Sequence, residues 1–426
     1  MTVEDRIRAA TRARVELVRD IRPLEVPERL PRRGLRVPRP RRLTGWLAPV
    51  TAAAVVVALA VALVSVRMVR NDAGLLGPAT VPAASGVAFP RYYVWVSTGL
   101  SGAPPTVATV ADSRTGAVLA TVRPPAHRVF AGVTGAADDR TFVLDTVPAG
   151  GFNENSTHVW YRLRIAAGAG HPALTRLPIA GPPASAQIQG LALSPDGRTL
   201  AVLFQPLVPD ASASSPASAA GAAPAPPVML RTYSLATGRA LRTWTTPAPR
   251  GLARIVPNPD NTAALSWAGD RALAFKYPVN TWPYDVRTLN TASKGSDFVT
   301  ASKPVMAGPG DRHGCASLLT ATDGRTVVCG TLGNATGGCV KEEPEFDQWS
   351  TATGKLTRVL YRYGGTCRAA GAAVLWAGPG GTVIGAIAVY SETGQQEHTA
   401  GLIWHGRFFP LRISFPPNAA AGALAF

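Results

Sequence analysis

The only cysteines of this 426-residue chain, Cys315, Cys329, Cys339 and Cys367, fall within one stretch of 53 residues. An even number so closely grouped predicts two disulfides formed in an oxidising compartment. Zinc is the competing ligand, but no two of them have the C-x-x-C spacing of a structural zinc site, so no metal is expected. In the same stretch lies a dense acidic run made by Lys341, Glu342, Glu343, Glu345 and Asp347. Four carboxylates at that density can hold a hard cation, yet the EF-hand spacing is missing, and a solvated loop is the expected form.

Six histidines, His127, His158, His171, His313, His398 and His405, are scattered without an H-E-x-x-H or H-x-H pair, and each is read as structural. The sequence contains no G-x-S-x-G elbow, Walker loop or dinucleotide fingerprint. No catalytic residue and no cofactor are therefore expected.

The elements that would position these groups are short hairpins. Residues 191–204, LALSPDGRTLAVLF, carry two apolar arms around Ser194, Pro195, Asp196 and Gly197. Proline fixes φ and the residues after it tolerate a tight turn, so the stretch predicts a β-hairpin. Both arms are apolar nearly throughout, as in a sheet covered on both faces. A second, more polar kind of hairpin turns at Thr-Gly. Residues 228–244 turn at Thr237 and Gly238, residues 109–122 at Thr115 and Gly116, and residues 346–361 at Thr353 and Gly354.

This alternation resembles the β-propeller repeats of the TolB and YVTN types, in which S-P-D-G hairpins form inner strand pairs and D-x-x-T-G hairpins form outer ones. The resemblance covers roughly residues 91–426. It implies inner pairs at 129–145, 191–204, 263–277, 315–331 and 373–390, and outer pairs at 159–178, 228–244, 284–305, 346–361 and 402–415. Residues 421–426 (AGALAF) then supply a first inner strand and residues 91–97 (RYYVWVS) its neighbour, with residues 107–122 outside. That joins the two ends into a sixth blade and closes the ring. The expected fold is all-β, a six-bladed propeller, with seven blades as the alternative.

On this mapping all four cysteines share one face of the disc. Three pairings are open, and adjacent antiparallel strands favour Cys315 with Cys329, leaving Cys339 with Cys367. Trp282, Tyr284, Glu342, Glu343, Glu345 and Asp347 lie on or near the same loop face, where they are candidates for contacting a partner. The competing reading of the aromatic residues is packing between blades.

Ahead of the propeller, residues 2–21 read as a short amphipathic helix, followed by a proline-broken arginine-rich tether to residue 42. Residues 43–66 contain no charge, and 24 residues of helix span about 36 Å, enough for a bilayer core of about 30 Å. Thirteen arginines against six acids in residues 1–42 place that end in the cytoplasm and the rest outside. The run is too long for a signal-peptide core. Residues 67–90 read as a linker and residues 206–227 as a disordered loop. The net charge of +17 is thus in part a topology signal, and no nucleic-acid partner is expected.

The whole chain resembles actinobacterial single-pass membrane proteins with an extracytoplasmic propeller, a resemblance that implies a link to sigma-factor signalling. The expected function is an interaction or sensing module that binds a protein or cell-envelope ligand on the loop face, with residues 1–42 meeting a cytoplasmic partner. The alternatives are a lactonase-like hydrolase working in the central channel and a structural envelope protein.

Overall fold

The computed structural model describes residues 89–96, 107–149, 157–166, 172–182, 186–206, 227–248, 264–278, 284–306, 315–331, 335–336, 339–340, 343–364, 369–390, 396–413 and 424–426. All belong to one compact unit, Leu75–Phe426. The expected tail, membrane-spanning segment and most of the linker lie outside the described residues, as does nearly all of the 206–227 loop. Among the described residues no helix is long and apolar enough to cross a membrane.

Six four-stranded antiparallel sheets succeed one another along the chain. Blade 1 is Arg128–Gly135, Thr141–Pro148, Val159–Arg164 and Ala173–Arg176. Blade 2 is Ala186–Leu193, Thr199–Pro206, Val228–Ser234 and Ala240–Thr246. Blade 3 is Leu265–Ala268, Ala272–Tyr277, Asp285–Asn290 and Ser302–Met306. Blade 4 is Cys315–Thr320, Thr326–Thr331, Glu345–Ser350 and Leu356–Arg362. Blade 5 is Ala369–Ala377, Val383–Tyr390, Gln396–Trp404 and Arg407–Pro410. A small hairpin, Ala335–Thr336 with Cys339–Val340, accompanies blade 4.

The sixth blade is assembled from both ends of the described unit. Leu424–Ala425 pairs antiparallel with Tyr92–Val96, with Trp95 opposite Leu424 and Val94 opposite Ala425, and Ala108–Asp112 and Val118–Val122 complete the sheet. The architecture is an all-β six-bladed propeller whose ring closes through one shared sheet, which leaves no open end to the array.

Inner and outer hairpins turn as their residues dictate. In blade 2 the Ser194 hydroxyl donates to the Asp196 carboxylate at 2.6 Å and accepts the Thr199 amide at 2.9 Å, while Gly197 takes a φ of +68°. Asp138 and Asp323 hold the corresponding turns of blades 1 and 4 by accepting backbone amides at 2.8 and 2.9 Å. The side-chain carboxylate replaces a backbone acceptor, which is why aspartate recurs there. Strand Thr141–Pro148 is buried at seven of its eight positions, as expected for an arm covered on both faces, whereas Val118–Val122 on the rim is largely exposed.

Six clusters of buried side chains fill the six clefts between neighbouring blades. Leu203, Leu230 and Trp244 of blade 2 meet Trp267 and Phe275 of blade 3, and Tyr93 and Phe426 of blade 6 meet Leu375 and Ile384 of blade 5. Burial is therefore distributed around a ring rather than gathered in one centre.

Outer turns lock each even-numbered blade to the one before it. Gly238 has a φ of +71°, and a Cβ there would stand 2.0 Å from the Pro178 carbonyl oxygen of blade 1. Gly116 and Gly354 approach the backbone of blades 5 and 3 in the same way. Gly238→Ala combines a left-handed backbone with a backbone clash, and we expect a loss of roughly 3 kcal/mol in urea unfolding. An unchanged midpoint would show that the blade contact yields at no cost.

Candidate functional site

Two regions of the propeller can carry function: the ends of the strands that meet the long loops, and the axial end bordered by the tight inner turns. At the loop end, Cys315 and Cys329 of blade 4 form a disulfide with a Cα separation of 5.1 Å. Cys315 stands opposite Thr331 and Cys329 opposite Leu318, with a bulge between Cys315 and Ser317, so the bridge runs diagonally between the two strands. The other expected pair includes Cys367, which lies outside the described residues. Replacing both Cys315 and Cys329 by serine should cost about 2–3 kcal/mol, because the bridge closes a loop of 14 residues in the unfolded chain. Urea melts with and without reductant check this, and identical curves would contradict it.

Blade 3 clamps the start of that cysteine strand. The Lys276 ammonium nitrogen donates to the Ala316 carbonyl oxygen, and the Tyr284 hydroxyl donates to the Cys315 carbonyl oxygen at 2.6 Å. Lys276 Nζ also stands 5.5 Å from the centre of the Tyr284 ring. Burial lowers the Lys276 pKa to about 7 and pushes the Tyr284 phenol well above its ordinary value. Tyr284 is thus engaged between blades, the competing reading of that residue, and its hydroxyl is occupied in the clamp.

The acidic run divides. Glu343 is exposed, but Glu345 and Asp347 lie in the strand Glu345–Ser350 and are buried, so these two do not form the expected solvated loop. Glu345 accepts Arg362 Nε at 3.0 Å from the neighbouring strand. An inward-facing strand position and a cationic neighbour across the sheet explain how a carboxylate is buried there. Trp282 and Glu342 lie outside the described residues.

Two groups escaped the sequence reading. His158 Nδ1 bonds Asp145 Oδ2 at 2.7 Å, and both side chains are more than nine-tenths buried. This links the second strand of blade 1 to the residue just before its third, a partner that spacing did not reveal. Lys276 was likewise hidden inside an apolar arm; a lone lysine within an otherwise apolar strand is the signal that marks it.

At the opposite end, all six innermost strands border a cavity of about 140 Å³ on the propeller axis. Val133, Leu193, Trp267, Leu319, Trp376 and Phe426 each come from a different blade, and among the described residues no side chain in the wall is titratable. Three of the hydroxyls there, those of Thr134, Ser266 and Thr320, join blades. Thr134 accepts the Leu193 amide at 3.2 Å, and Ser266 and Thr320 bond each other at 2.7 Å. Trp267 Nε1 donates to the Ala192 carbonyl oxygen at 3.0 Å, which fixes its ring. The Trp376 ring lies so close over Gly378 that a Cβ there would be 2.2 Å from it.

Fold and site together define a self-closed six-bladed β-propeller whose axial cavity is lined, among the described residues, by side chains without a titratable group. No known family model matches the chain, and no curated protein does. Among solved structures, TolB from Acinetobacter baumannii is similar over 80% of this chain and 67% of its own, at 12% identity and a TM-score of 0.44. A putative TolB from Agrobacterium tumefaciens is similar over 79% and 97%, at 13% identity and 0.40. The acylaminoacyl peptidase of Pyrococcus horikoshii is similar over 76% of this chain but 44% of its own, at 11% identity and 0.42. The blade count rests on the strand pairing, not on these likenesses.

Proposed function

We propose that the protein is a membrane-tethered recognition module whose extracytoplasmic propeller binds a protein or cell-envelope ligand without transforming it. One observation carries this reading: the axial cavity, where propeller enzymes gather acids, amides or a metal, is walled here, among the described residues, by side chains without a titratable group, and Thr134, Ser266, Trp267 and Thr320 in that wall are tied up in bonds between blades. Several charged groups support it too, since Lys276, Glu345 and the Asp145–His158 pair are buried and joined to neighbouring strands or blades.

Placement outside the cytoplasm draws on the Cys315–Cys329 disulfide and on the uncharged run at residues 43–66 behind an arginine-rich tail. Coupling to cytoplasmic signalling, in the manner of sigma-factor-linked proteins, would pass through residues 1–42.

Crosslinking in intact cells followed by capture of the full chain tests the reading, with residues 1–42 alone as a separate bait. Capture of an envelope protein or wall fragment by the full chain and not by the tail is the expected result. Capture only of cytoplasmic proteins by both baits would contradict it.

A further inference from the structure

The geometry points to the axial cavity as a binding site for a neutral aromatic group about the size of an indole or phenol ring. This assignment deepens the recognition reading above and rests on it. Size comes first: a cavity of about 140 Å³ admits one such ring and little more, since an apolar cavity of about 150 Å³ is known to take benzene. Chemistry comes second. With no cationic side chain among the described residues of the wall, an anion would surrender part of its hydration without a counter-charge.

Rigidity is the third and independent observation. Trp267 is held by its bond to Ala192, so one indole ring is placed before any ligand arrives, and the Trp376 ring packs closely against Gly378 beside the same cavity. Preorganised aromatic walls reduce the ordering cost of binding a flat ring. Ala137 and Thr322, both exposed, stand at the mouth on the inner-turn face.

Saturation-transfer NMR on the full chain in lipid nanodiscs, with empty nanodiscs subtracted, provides the test. Indole is the neutral probe, indole-3-carboxylate its charged counterpart, and N-acetyltryptophanamide the mimic of a protein side chain. Indole should bind with a Kd on the order of 1 mM, about tenfold tighter than the carboxylate. Ala137→Trp, a change at an exposed position that fills the mouth, should abolish the signal, and Gly378→Ala, which displaces Trp376, should weaken it.

Binding of N-acetyltryptophanamide alongside indole supports the proposal and identifies a partner's side chain as the source of the ring. Binding of indole alone supports it with a free small molecule as the source. Failure of indole to bind, equal binding of the carboxylate, or an undiminished signal in Ala137→Trp overturns the assignment. Captured partners in the crosslinking experiment would then still stand, so the two readings fail separately.

Discussion

Deleting residues 424–426 should lower the melting midpoint of the propeller by about 10 °C or more, an effect out of proportion to three residues. Leu424, Ala425 and Phe426 are all buried, and the Phe426 ring packs 5.7 Å from that of Tyr93. Burying a leucine and a phenylalanine side chain contributes on the order of 5 kcal/mol together. Their removal also strips the inner edge of Tyr92–Val96, whose backbone groups at Val94 and Trp95 then lose their partners. The phenylalanine carbonyl further abuts Gly135 of blade 1, where a Cβ would stand 2.1 Å away, so the last residue bridges blades 6 and 1. Trimming a terminus that packs on nothing would cost almost nothing. Calorimetry on the full chain with and without these residues distinguishes the two cases.

Replacing Lys276 with methionine should stabilise the protein at neutral pH and flatten its pH dependence. Burial lowers the Lys276 pKa to about 7, whereas an exposed lysine titrates near 10.4. Between these values the unfolded chain binds more protons than the folded one, so unfolding free energy rises with pH across that window. The penalty is fully present below about pH 7 and vanishes above the unfolded value. Its size is on the order of 4 kcal/mol. Methionine gives up the bond to the Ala316 carbonyl, roughly 1 kcal/mol, and keeps the volume.

Measurements belong between pH 6 and 9. Above that, the raised phenols of Tyr233, Tyr277, Tyr284 and Tyr361 act in the opposite sense, because the unfolded chain loses their protons first. Urea midpoints of the wild type should climb through this range while those of Lys276→Met stay level. Parallel slopes would mean that the amine remains hydrated.

Why some of this was legible and some was not follows from the range of the interactions. Ser194, Asp196 and Gly197 specify their turn by bonds within five residues, so the hairpin could be read locally. The ring closure was legible for a different reason: residues 421–426 formed an apolar strand with no hairpin partner, and residues 91–97 another, which left each as the other's neighbour. Glu345 was misjudged as loop because its partner Arg362 is 17 residues away and a run of charge normally means solvent. The cavity walls were invisible for the same reason. Trp267 is fixed by a carbonyl 75 residues earlier, and Ser266 meets Thr320 across 54. Inner and outer hairpins encode blades, whereas the axis is made where six blades meet, and no short window contains it.

The central claim is that the last residues of the chain complete a blade begun more than 300 residues earlier and so close a ring around the axial cavity. Substituting cysteine at Val94 and Ala425, which stand opposite each other in the shared sheet, tests it most directly. After mild oxidation, peptide mapping of the monomer should find residue 94 bridged to residue 425 within one chain, with the native Cys315–Cys329 bridge retained. A monomer in which these two positions stay unlinked would contradict the closed six-bladed ring.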